Sequence, residues 1–333
     1  MAEGYTFLLR AHCSTYNHVH YITDALNGFV MQKTDFPYVC TIMDDASTDG
    51  EQEVIKEYLL EHFDLQDSSV AYDRDTDYGH VTFAQHKTNR NCYFAVIFLW
   101  ENHYSQRKTK APYLTEWMNT KYIALCEGDD YWTDPLKLQK QVDFLEEHED
   151  YSMCFHGAKV KVEGGSTSER TNGTHYSNIE NREYVSTEFV SKWMVPTASV
   201  IYRKEMIDGF SIKHPERLVF GDISLVLKCS HVGKVMGMND MMSVYRIQPN
   251  SVTNNPRSVE SLIFHLPDHY LCLRENFPKV EKGPLEWSIS YYHYVRMKKQ
   301  SDFWLKIKDF VMFVWWDPRQ AIKRVGNVMN RRR

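Results

Sequence analysis

The chain has 333 residues, of which 43% are hydrophobic and 25% are charged, and this ordinary globular composition excludes the disordered and fibrous classes. Its length suits one large α/β domain followed by a C-terminal extension. With 39 Lys and Arg against 44 Asp and Glu, the formal charge is −5. The basic excess of nucleic-acid-binding proteins is therefore absent, and no nucleic-acid partner is expected.

The first 150 residues alternate apolar runs with segments of helical spacing. Residues 5–9, 38–43 and 122–126 are short apolar runs, which are typical of strands covered on both faces. Residues 17–33 carry apolar side chains at helical spacing. The pattern therefore predicts three strands, with a helix between the first two.

Two further helices follow from capping residues. Residues 48–50 (Thr-Asp-Gly) can cap a helix after the second strand, and Asp134 with Pro135 is suited to the start of a helix after the third. The buried stripe of that last helix is predicted to be Leu138, Val142 and Leu145. Such an alternation predicts a mainly parallel sheet with helices on its outside.

The rest of the chain gives a coarser pattern. We expect a helix and then a loop over 80–119, a surface excursion over 163–181, a strand over 195–202, a helix over 221–233, final strands over 235–238 and 241–246, and helices from Pro256 onward. The predicted domains are residues 1–250 and a helical extension over 251–333.

Two acidic pairs follow predicted strands. Asp44 and Asp45 come after the second strand, and Asp129 and Asp130 after the third. Ligands of open α/β sheets bind where strands end. Residues 12–17 lack the GxGxxG fingerprint, and no GxxxxGK[ST] occurs in the chain, so neither a Rossmann dehydrogenase nor a P-loop NTPase is supported.

Carboxylates hold a phosphate group only through a divalent cation, which they bind as hard ligands. The pair Asp129 and Asp130, followed by a capped helix, suits metal-mediated diphosphate binding. The pair Asp44 and Asp45 suits the base and ribose of a nucleotide, on which Tyr16 can stack. Adjacent acids in loops are usually solvated turns or caps, and it is the presence of two pairs at strand ends that favours a functional interpretation.

Three segments resemble, in order and spacing, the family 2 glycosyltransferases of the GT-A fold, and the residues after the third resemble bacterial cell-surface polysaccharide members. The segments are residues 14–17 (STYN), 43–50 (MDDASTDG) and 122–132 (YIALCEGDDYW), followed by 133–141 (TDPLKLQKQ). The resemblance covers about residues 5–250. It implies an α/β GT-A fold, a Rossmann-like mixed sheet flanked by helices, and a helical C-terminal extension.

The resemblance also implies roles for single residues. Asp45 would contact the base, with Ser14 and Tyr16 lining the same pocket. Asp129 would contact the ribose or sugar, and Asp130 would ligate Mn²⁺ or Mg²⁺. The donor would be a nucleotide-sugar, with a UDP-sugar favoured.

The chain departs from the family in two places. Glu127 stands where the family's first DxD acid is expected, and the QxxRW motif of polymerising relatives is absent. The first departure puts a direct ligand contact of Glu127 in doubt. The second argues for the addition of a single sugar to each acceptor.

Inverting transfer needs a carboxylate that takes the proton of the acceptor hydroxyl. Asp222, which follows Gly221 at the start of a predicted helix, resembles the catalytic position of the family. A helix N-cap is the alternative, because Asp is common at such positions.

Further candidates for diphosphate or acceptor contacts are Thr197, Ser199, Trp132 and Arg246. Arg246 could clamp a diphosphate with its guanidinium, and a structural salt bridge is the equal alternative. Ser199 is equally suited to a buried strand.

The C-terminal segment is basic and aromatic. From Arg296 to Arg333 eleven basic residues stand against three acids, so this segment carries +8 and the rest of the chain −13. The apolar residues 310–316, followed by the basic residues 319–333, fit an interfacial helix on an anionic inner leaflet. Packing of the aromatic side chains on the body of the protein is the alternative.

Seven scattered cysteines without a CxxC pair indicate reduced thiols. We find neither a signal peptide nor a run of about 18 apolar residues, so a cytoplasmic location, peripheral on the inner face of the membrane, is expected. The sequence thus predicts a metal-dependent inverting glycosyltransferase acting on a saccharide or lipid-linked saccharide. The alternatives are an inactive nucleotide-sugar-binding partner in a polysaccharide assembly complex and a sugar-phosphate nucleotidyltransferase.

Overall fold

The computed structural model describes residues 6–164, 174–248 and 256–323. The chain forms two compact units. The first comprises Met1–Glu183, Met194–Asp208 and Gly233–Arg246, and the second comprises Tyr184–Trp193, Gly209–Val232 and Ile247–Arg333. The domain boundary at residue 250 stays a prediction from sequence.

The first unit is built on a mixed sheet. The strands of the chain are β1 (Leu9–Thr15), β2 (Tyr38–Asp44), β3 (Ala71–Asp75), β4 (Gly79–Gln85), β5 (Cys92–Leu99), β6 (Tyr122–Leu125), β7 (Tyr131–Trp132), β8 (Tyr151–Val162), β9 (Arg182–Tyr184), β10 (Ile201–Arg203) and β11 (Lys234–Ile247). The main path of the sheet runs β3-β4-β5-β2-β1-β6-β10-β8-β11-β7. Its centre, β5-β2-β1-β6, is parallel, whereas β3 with β4, β4 with β5, β10 with β6 and β11 with β7 are antiparallel.

Helices cover this sheet in the first unit and form most of the second. They are α1 (Ile22–Val30), α2 (Glu51–His62), α3 (Lys137–Glu147), α4 (Thr174–Ser177), α5 (Ser186–Ser191), α6 (Lys204–Asp208), α7 (Gly221–Val232), α8 (Pro256–Asn276), α9 (Lys282–Lys299) and α10 (Phe303–Trp316). An α/β sheet flanked by helices, with a helical C-terminal region, confirms the predicted fold class.

The core explains why these elements form. All seven positions of β2 are buried, as expected for a central strand covered on both faces. α1 buries Ile22, Ala25, Leu26 and Phe29 at helical spacing. α3 buries the predicted stripe of Leu138, Val142 and Leu145, and all of these residues belong to one cluster with the sheet.

The first strand lies later than predicted. The sequence placed it at residues 5–9, whereas β1 spans Leu9–Thr15. Arg10, His12 and Ser14 alternate with apolar residues in this strand, and their polarity hid it from a pattern that searches for unbroken apolar runs. Residues 12–17 were interpreted as the turn after the first strand, and residues 12–15 among them are the end of β1.

The prediction of a helix within 80–119 was wrong. The structure has β4 and β5 there, followed by a 3₁₀ helix over Ala111–Trp117. β5 lies between β4 and β2 and is almost wholly buried. A strand covered on both faces shows no alternation, so its apolar run does not differ from that of a short buried helix.

Three smaller boundaries also differ. Within 195–202, a 3₁₀ turn over Thr197–Ser199 precedes β10. The two strands expected over 235–246 form the single strand β11. α3 begins at Lys137, and not directly after Asp134. Asp134 still stabilises the residues before the helix, since Asp134 Oδ1 accepts a hydrogen bond from the Leu136 amide at 2.8 Å. The excursion over 163–181 contains α4, and residues 165–173 lie outside the described part of the chain.

The second unit has an apolar core of its own. Ile223 and Leu227 of α7 pack with Leu273 and Phe277 of α8 and with Leu285 of α9. The predicted helix over 221–233 is confirmed as α7. Among the described residues, no helix combines the length and apolar character needed to cross a membrane. All seven cysteines are free and buried.

Candidate active site

The two acidic pairs meet at one edge of the sheet. β1 pairs in parallel with β2 on one side, Thr15 opposite Asp44, and with β6 on the other, His12 opposite Leu125. The carboxyl ends of all three strands therefore point the same way. Asp45 and residues 127–130 consequently lie on either side of the end of β1, at the edge where such sheets bind ligands.

Asp45, which follows β2, binds the segment after β5. Its side chain is 3% exposed. Oδ1 accepts a hydrogen bond from the His103 amide at 2.8 Å, and Oδ2 accepts one from the Tyr104 amide at 3.0 Å. Lys110 Nζ lies 3.1 Å from Oδ2. The predicted base-contacting carboxylate is therefore held by the segment after β5, within the region that the sequence predicted to end in a loop.

Glu51 ties the turns after β1 and β2 together. It is fully buried, and its Oε2 accepts hydrogen bonds from the His18 amide at 2.8 Å and from Ser47 Oγ at 2.9 Å. Thr15 Oγ1 donates to Oε1. Burial raises the pKa of Glu51, and these donors oppose the rise. The sequence did not single out this residue, because an acidic side chain in the first turn of a helix is ordinarily explained by its interaction with the helix dipole.

His12 and Ser14 line the floor between the acidic groups. Ser14 Oγ lies 3.3 Å from His12 Nε2, and His12 Nδ1 lies 3.3 Å from Thr41 Oγ1. Burial, with the charges of Arg10 and Lys110, lowers the pKa of His12 to about 3, so the imidazole is neutral. It can accept or donate a hydrogen bond without adding charge. Tyr16 next to it is 44% exposed, which leaves its ring accessible for stacking.

The acidic turn after β6 contains one buried and one accessible carboxylate. Asp130 is 1% exposed, and its Oδ1 accepts a hydrogen bond from the Arg246 amide at 2.8 Å. Burial, followed by the charge of Asp129, raises the pKa of Asp130 well above its usual range. The Asp129 side chain is 18% exposed, with Oδ2 4.0 Å from His18 Nε2. The pair is therefore split between a buried and an open position.

Gly128 allows this turn to approach β1. A Cβ at this position would lie 2.1 Å from Thr15 Oγ1 and 2.6 Å from Thr15 Cβ, far inside van der Waals contact. Any other residue would push the turn away from the strand. The glycine thus fixes the distance between the acidic turn and the floor of the site.

The carboxylate oxygens of the acidic turn match part of what a divalent cation requires. Asp130 Oδ2 is buried, and within the described chain it has no hydrogen-bond partner. An ionised oxygen in such a position is costly unless a cation pairs with it. Carboxylate oxygens are the hard ligands that Mg²⁺ and Mn²⁺ prefer. No group of three or more His, Cys, Asp or Glu in the described residues is arranged to hold a metal.

Arg246 holds the acidic turn in place. Its side chain is 1% exposed. Nε lies 3.0 Å from Glu163 Oε1, an Nη donates to the Asp129 carbonyl at 2.9 Å, and the other Nη pairs with Asp24. Of the two roles considered from sequence, these contacts favour the salt bridge over a diphosphate clamp.

Three other candidates lie in or near the core. Trp132 is 1% exposed, and its Nε1 donates to the Ala198 carbonyl at 2.8 Å. Ser199 is fully buried, with Oγ donating to the Pro196 carbonyl at 2.6 Å. Both side chains are buried and hydrogen-bonded within the protein, and their contacts with diphosphate or acceptor stay predictions from sequence. Thr197, in the same 3₁₀ turn, is half-buried.

Asp222 lies in the second unit, in the first turn of α7. It is half-buried, and its Oδ1 accepts a hydrogen bond from the Ile223 amide at 2.7 Å. Burial raises its pKa, and this hydrogen bond opposes the rise. A carboxylate with a raised pKa is suited to exchange protons near neutral pH. The same geometry also serves a helix start, as the alternative from sequence proposed.

Comparison with known proteins bears on the fold. No protein-family model matches the chain. It is 30% identical over 235 residues to uncharacterised proteins of Mycobacterium bovis and Mycobacterium tuberculosis; the match covers 70% of this chain and 56% of theirs. The chain thus spans little more than half the length of these relatives.

Solved structures of glycosyltransferases match over most of the chain. TarS of S. aureus in complex with UDP-GlcNAc gives a TM-score of 0.55 at 14% identity, over 92% of this chain and 80% of TarS 1–349. The mannosyltransferase PcManGT from Pyrobaculum calidifontis, in complex with GDP-Man and Mn²⁺, gives 0.52 at 13% identity, over 98% of this chain and 81% of the other. The chain therefore has a glycosyltransferase fold of the GT-A type.

Proposed function

We propose that this protein transfers a sugar from a nucleotide-sugar, with a UDP-sugar favoured, to a saccharide or lipid-linked saccharide acceptor. The reaction is metal-dependent and inverts the anomeric centre, as in family 2 enzymes of bacterial cell-surface polysaccharide synthesis. Support comes from one observation above all: Asp45, Asp129 and Asp130 lie at the carboxyl edge of three adjacent parallel strands, on either side of Ser14 and Tyr16.

Asp45, Ser14 and Tyr16 receive the nucleoside in this proposal. Asp45 offers carboxylate oxygens to base N–H groups, and Tyr16 offers an exposed ring for stacking. Because Lys110 already pairs with Asp45 Oδ2 at 3.1 Å, the base shares or displaces this ion pair. The neutral His12 beside Ser14 adds a polar contact without electrostatic repulsion.

Asp129 and Asp130 hold the diphosphate end. Asp130 Oδ2 is the buried oxygen without a partner among the described residues, and Asp129 is the accessible neighbour. Asp130 would bind Mn²⁺ or Mg²⁺, and Asp129 would contact the ribose or sugar. The chemistry that the bound cation supplies is stabilisation of the charge on the departing diphosphate.

Asp222 is proposed as the base. The acceptor hydroxyl oxygen forms the new bond to the anomeric carbon, the bond to the diphosphate oxygen breaks, and the hydroxyl proton passes to Asp222. Its raised pKa favours this transfer, since a base works best with a pKa close to the working pH. The acidic limb of the pH profile is therefore expected above the usual range of an aspartate.

The test is nucleotide release from a panel of UDP- and GDP-sugars, with Mn²⁺ and saccharide or lipid-linked acceptors. We expect turnover by the wild type, a loss of about 10²–10⁴ in Asp222→Asn with Mn²⁺-dependent UDP binding retained, and no change in the control Asp35→Asn, whose carboxylate is exposed. Unchanged turnover in Asp222→Asn would remove this residue from the mechanism.

The same assay separates the alternatives. A wild type that binds Mn²⁺ and UDP yet releases nucleotide from no donor would support the inactive binding partner. Formation of a nucleotide-sugar from a sugar phosphate and a nucleoside triphosphate would support the nucleotidyltransferase.

A further inference from the structure

Helix α10 exposes a continuous apolar face. We define the α10 outer face by seven exposed apolar side chains, which are Phe303, Trp304, Ile307, Phe310, Val311, Val314 and Trp315; Leu305 is also exposed but lies outside this face on the helical wheel. The two tryptophans are each 75% exposed. At 3.6 residues per turn, the seven positions fall within an arc of about 140°. Contiguous apolar surface of this kind marks a site of interaction with a protein or a membrane.

The opposite side of the helix fixes this orientation. Asp309 is 1% exposed and lies between α10 and α9. Its oxygens accept hydrogen bonds from His293 Nδ1 at 2.8 Å, Arg296 Nη2 at 2.7 Å and Gln300 Nε2 at 2.7 Å. Ser290 Oγ donates to the Phe313 carbonyl at 2.9 Å. α10 cannot rotate to bury its outer face without breaking this network.

Basic residues flank the apolar arc. On the helical wheel Lys306 lies beyond one border of the α10 outer face and Lys308 beyond the other. Arg319 and Lys323 follow α10, and the sequence from Arg296 to Arg333 carries +8. The remainder of the chain carries −13, so positive charge is concentrated in the part of the sequence that contains α10.

We propose that the α10 outer face docks on an anionic membrane surface, with the helix lying in the interfacial plane. Tryptophan is favoured at such interfaces, and lysines at the borders of an apolar arc can extend to lipid phosphates while their stems stay on the apolar side. At about 1.5 Å per residue, fourteen residues measure about 21 Å, which suits a helix lying along the surface. This proposal does not depend on the reaction assigned to the first unit.

The test is co-sedimentation of the full chain with vesicles of phosphatidylcholine alone or of phosphatidylcholine and phosphatidylglycerol in equal parts. We expect binding to the anionic vesicles that weakens at about 1 M salt, where screening acts within about 3 Å. The double variant Trp304→Gln/Trp315→Gln should bind more than about tenfold more weakly. Each of Lys306→Gln and Lys308→Gln should weaken binding about fivefold.

Trp287→Gln is the matched control, because Trp287 is 48% exposed on α9 and lies outside the α10 outer face. It should bind as the wild type does. Equal binding of the double tryptophan variant, or no binding of the wild type to anionic vesicles, would overturn the proposal. A wild-type dimer in solution that the double tryptophan variant converts to monomer would also overturn it, since a second copy of the chain would then cover the face.

Discussion

Asp130→Asn is expected to stabilise the metal-free protein while abolishing the metal-dependent binding of nucleotide. The wild-type carboxylate is 1% exposed, with one oxygen lacking a partner in the described chain, and its pKa is raised by burial and by Asp129. An ionised group in this position costs free energy at neutral pH. Asparagine keeps an acceptor for the Arg246 amide and removes the charge.

The size of the effect follows from the unpaired oxygen. Leaving a buried polar atom without a partner costs about 1–3 kcal/mol, and more for a charged one. Because the amide of asparagine leaves a donor there instead, we expect a net gain of about 1 kcal/mol in the free energy of unfolding. An aspartate whose folded pKa is raised loses stability as the pH rises from its unfolded to its folded pKa. The advantage of the variant should therefore grow with pH across that window.

Chemical denaturation with and without Mn²⁺ and UDP measures both effects. Ligand at about 100 times its dissociation constant should stabilise the wild type by about 2.7 kcal/mol and Asp130→Asn hardly at all. Asp35→Asn, at an exposed carboxylate, should follow the wild type in both conditions. The reasoning fails if Asp130→Asn is less stable than the wild type without metal, or if it gains as much as the wild type from Mn²⁺ and UDP.

Three further changes test other contacts. Gly128→Ala should lower both stability, by about 1–3 kcal/mol, and donor binding, because its Cβ overlaps Thr15. In denaturation and turnover assays the control Gly283→Ala, with open space around it, should have little effect. Asp309→Asn should cost about 3–5 kcal/mol at neutral pH. Burial alone raises the pKa of Asp309, but the hydrogen bonds from its partners have the larger effect, and the net pKa is lowered. The difference in free energy of unfolding between the wild type and the variant should therefore vanish as the pH falls through that pKa. Arg246→Lys should reduce turnover, with UDP binding weakened only in the presence of Mn²⁺, since a lysine cannot make the three contacts that hold the acidic turn.

The sequence was sufficient to predict the location of residues that directly follow a strand. The common location of Asp45, Asp129 and Asp130 was predicted because parallel strands bring their carboxyl ends to one edge, which needs only the element order. Lys110 and His103 were not found, because their contacts with Asp45 span 65 and 58 positions along the chain. No local pattern encodes such a pairing.

The errors in the predicted strands and helices have a related cause. The prediction of β1 was displaced because the polar residues His12 and Ser14 break its apolar pattern. Local rules are expected to fail most often at strands that line a candidate site. β5 was taken for a helix because it is covered on both faces. Both strands pair with β2 in the centre of the sheet, and the end of β1 lies at the candidate site. The sequence was therefore least informative where burial or a site overrides the periodicity of apolar residues.

Arg246 shows why the acidic turn cannot be understood from its own residues. The turn is bounded by β6 and β7, and β7 pairs antiparallel with β11, Trp132 opposite Ser243 and Tyr131 opposite Val244. From β11 the Arg246 amide binds Asp130, and its side chain binds the Asp129 carbonyl. A segment more than one hundred positions later thus closes the turn, and its arginine holds the turn by donating to the Asp129 carbonyl. The conformation of the acidic turn is therefore a property of the completed sheet, since it depends on β11 as well as on β6 and β7.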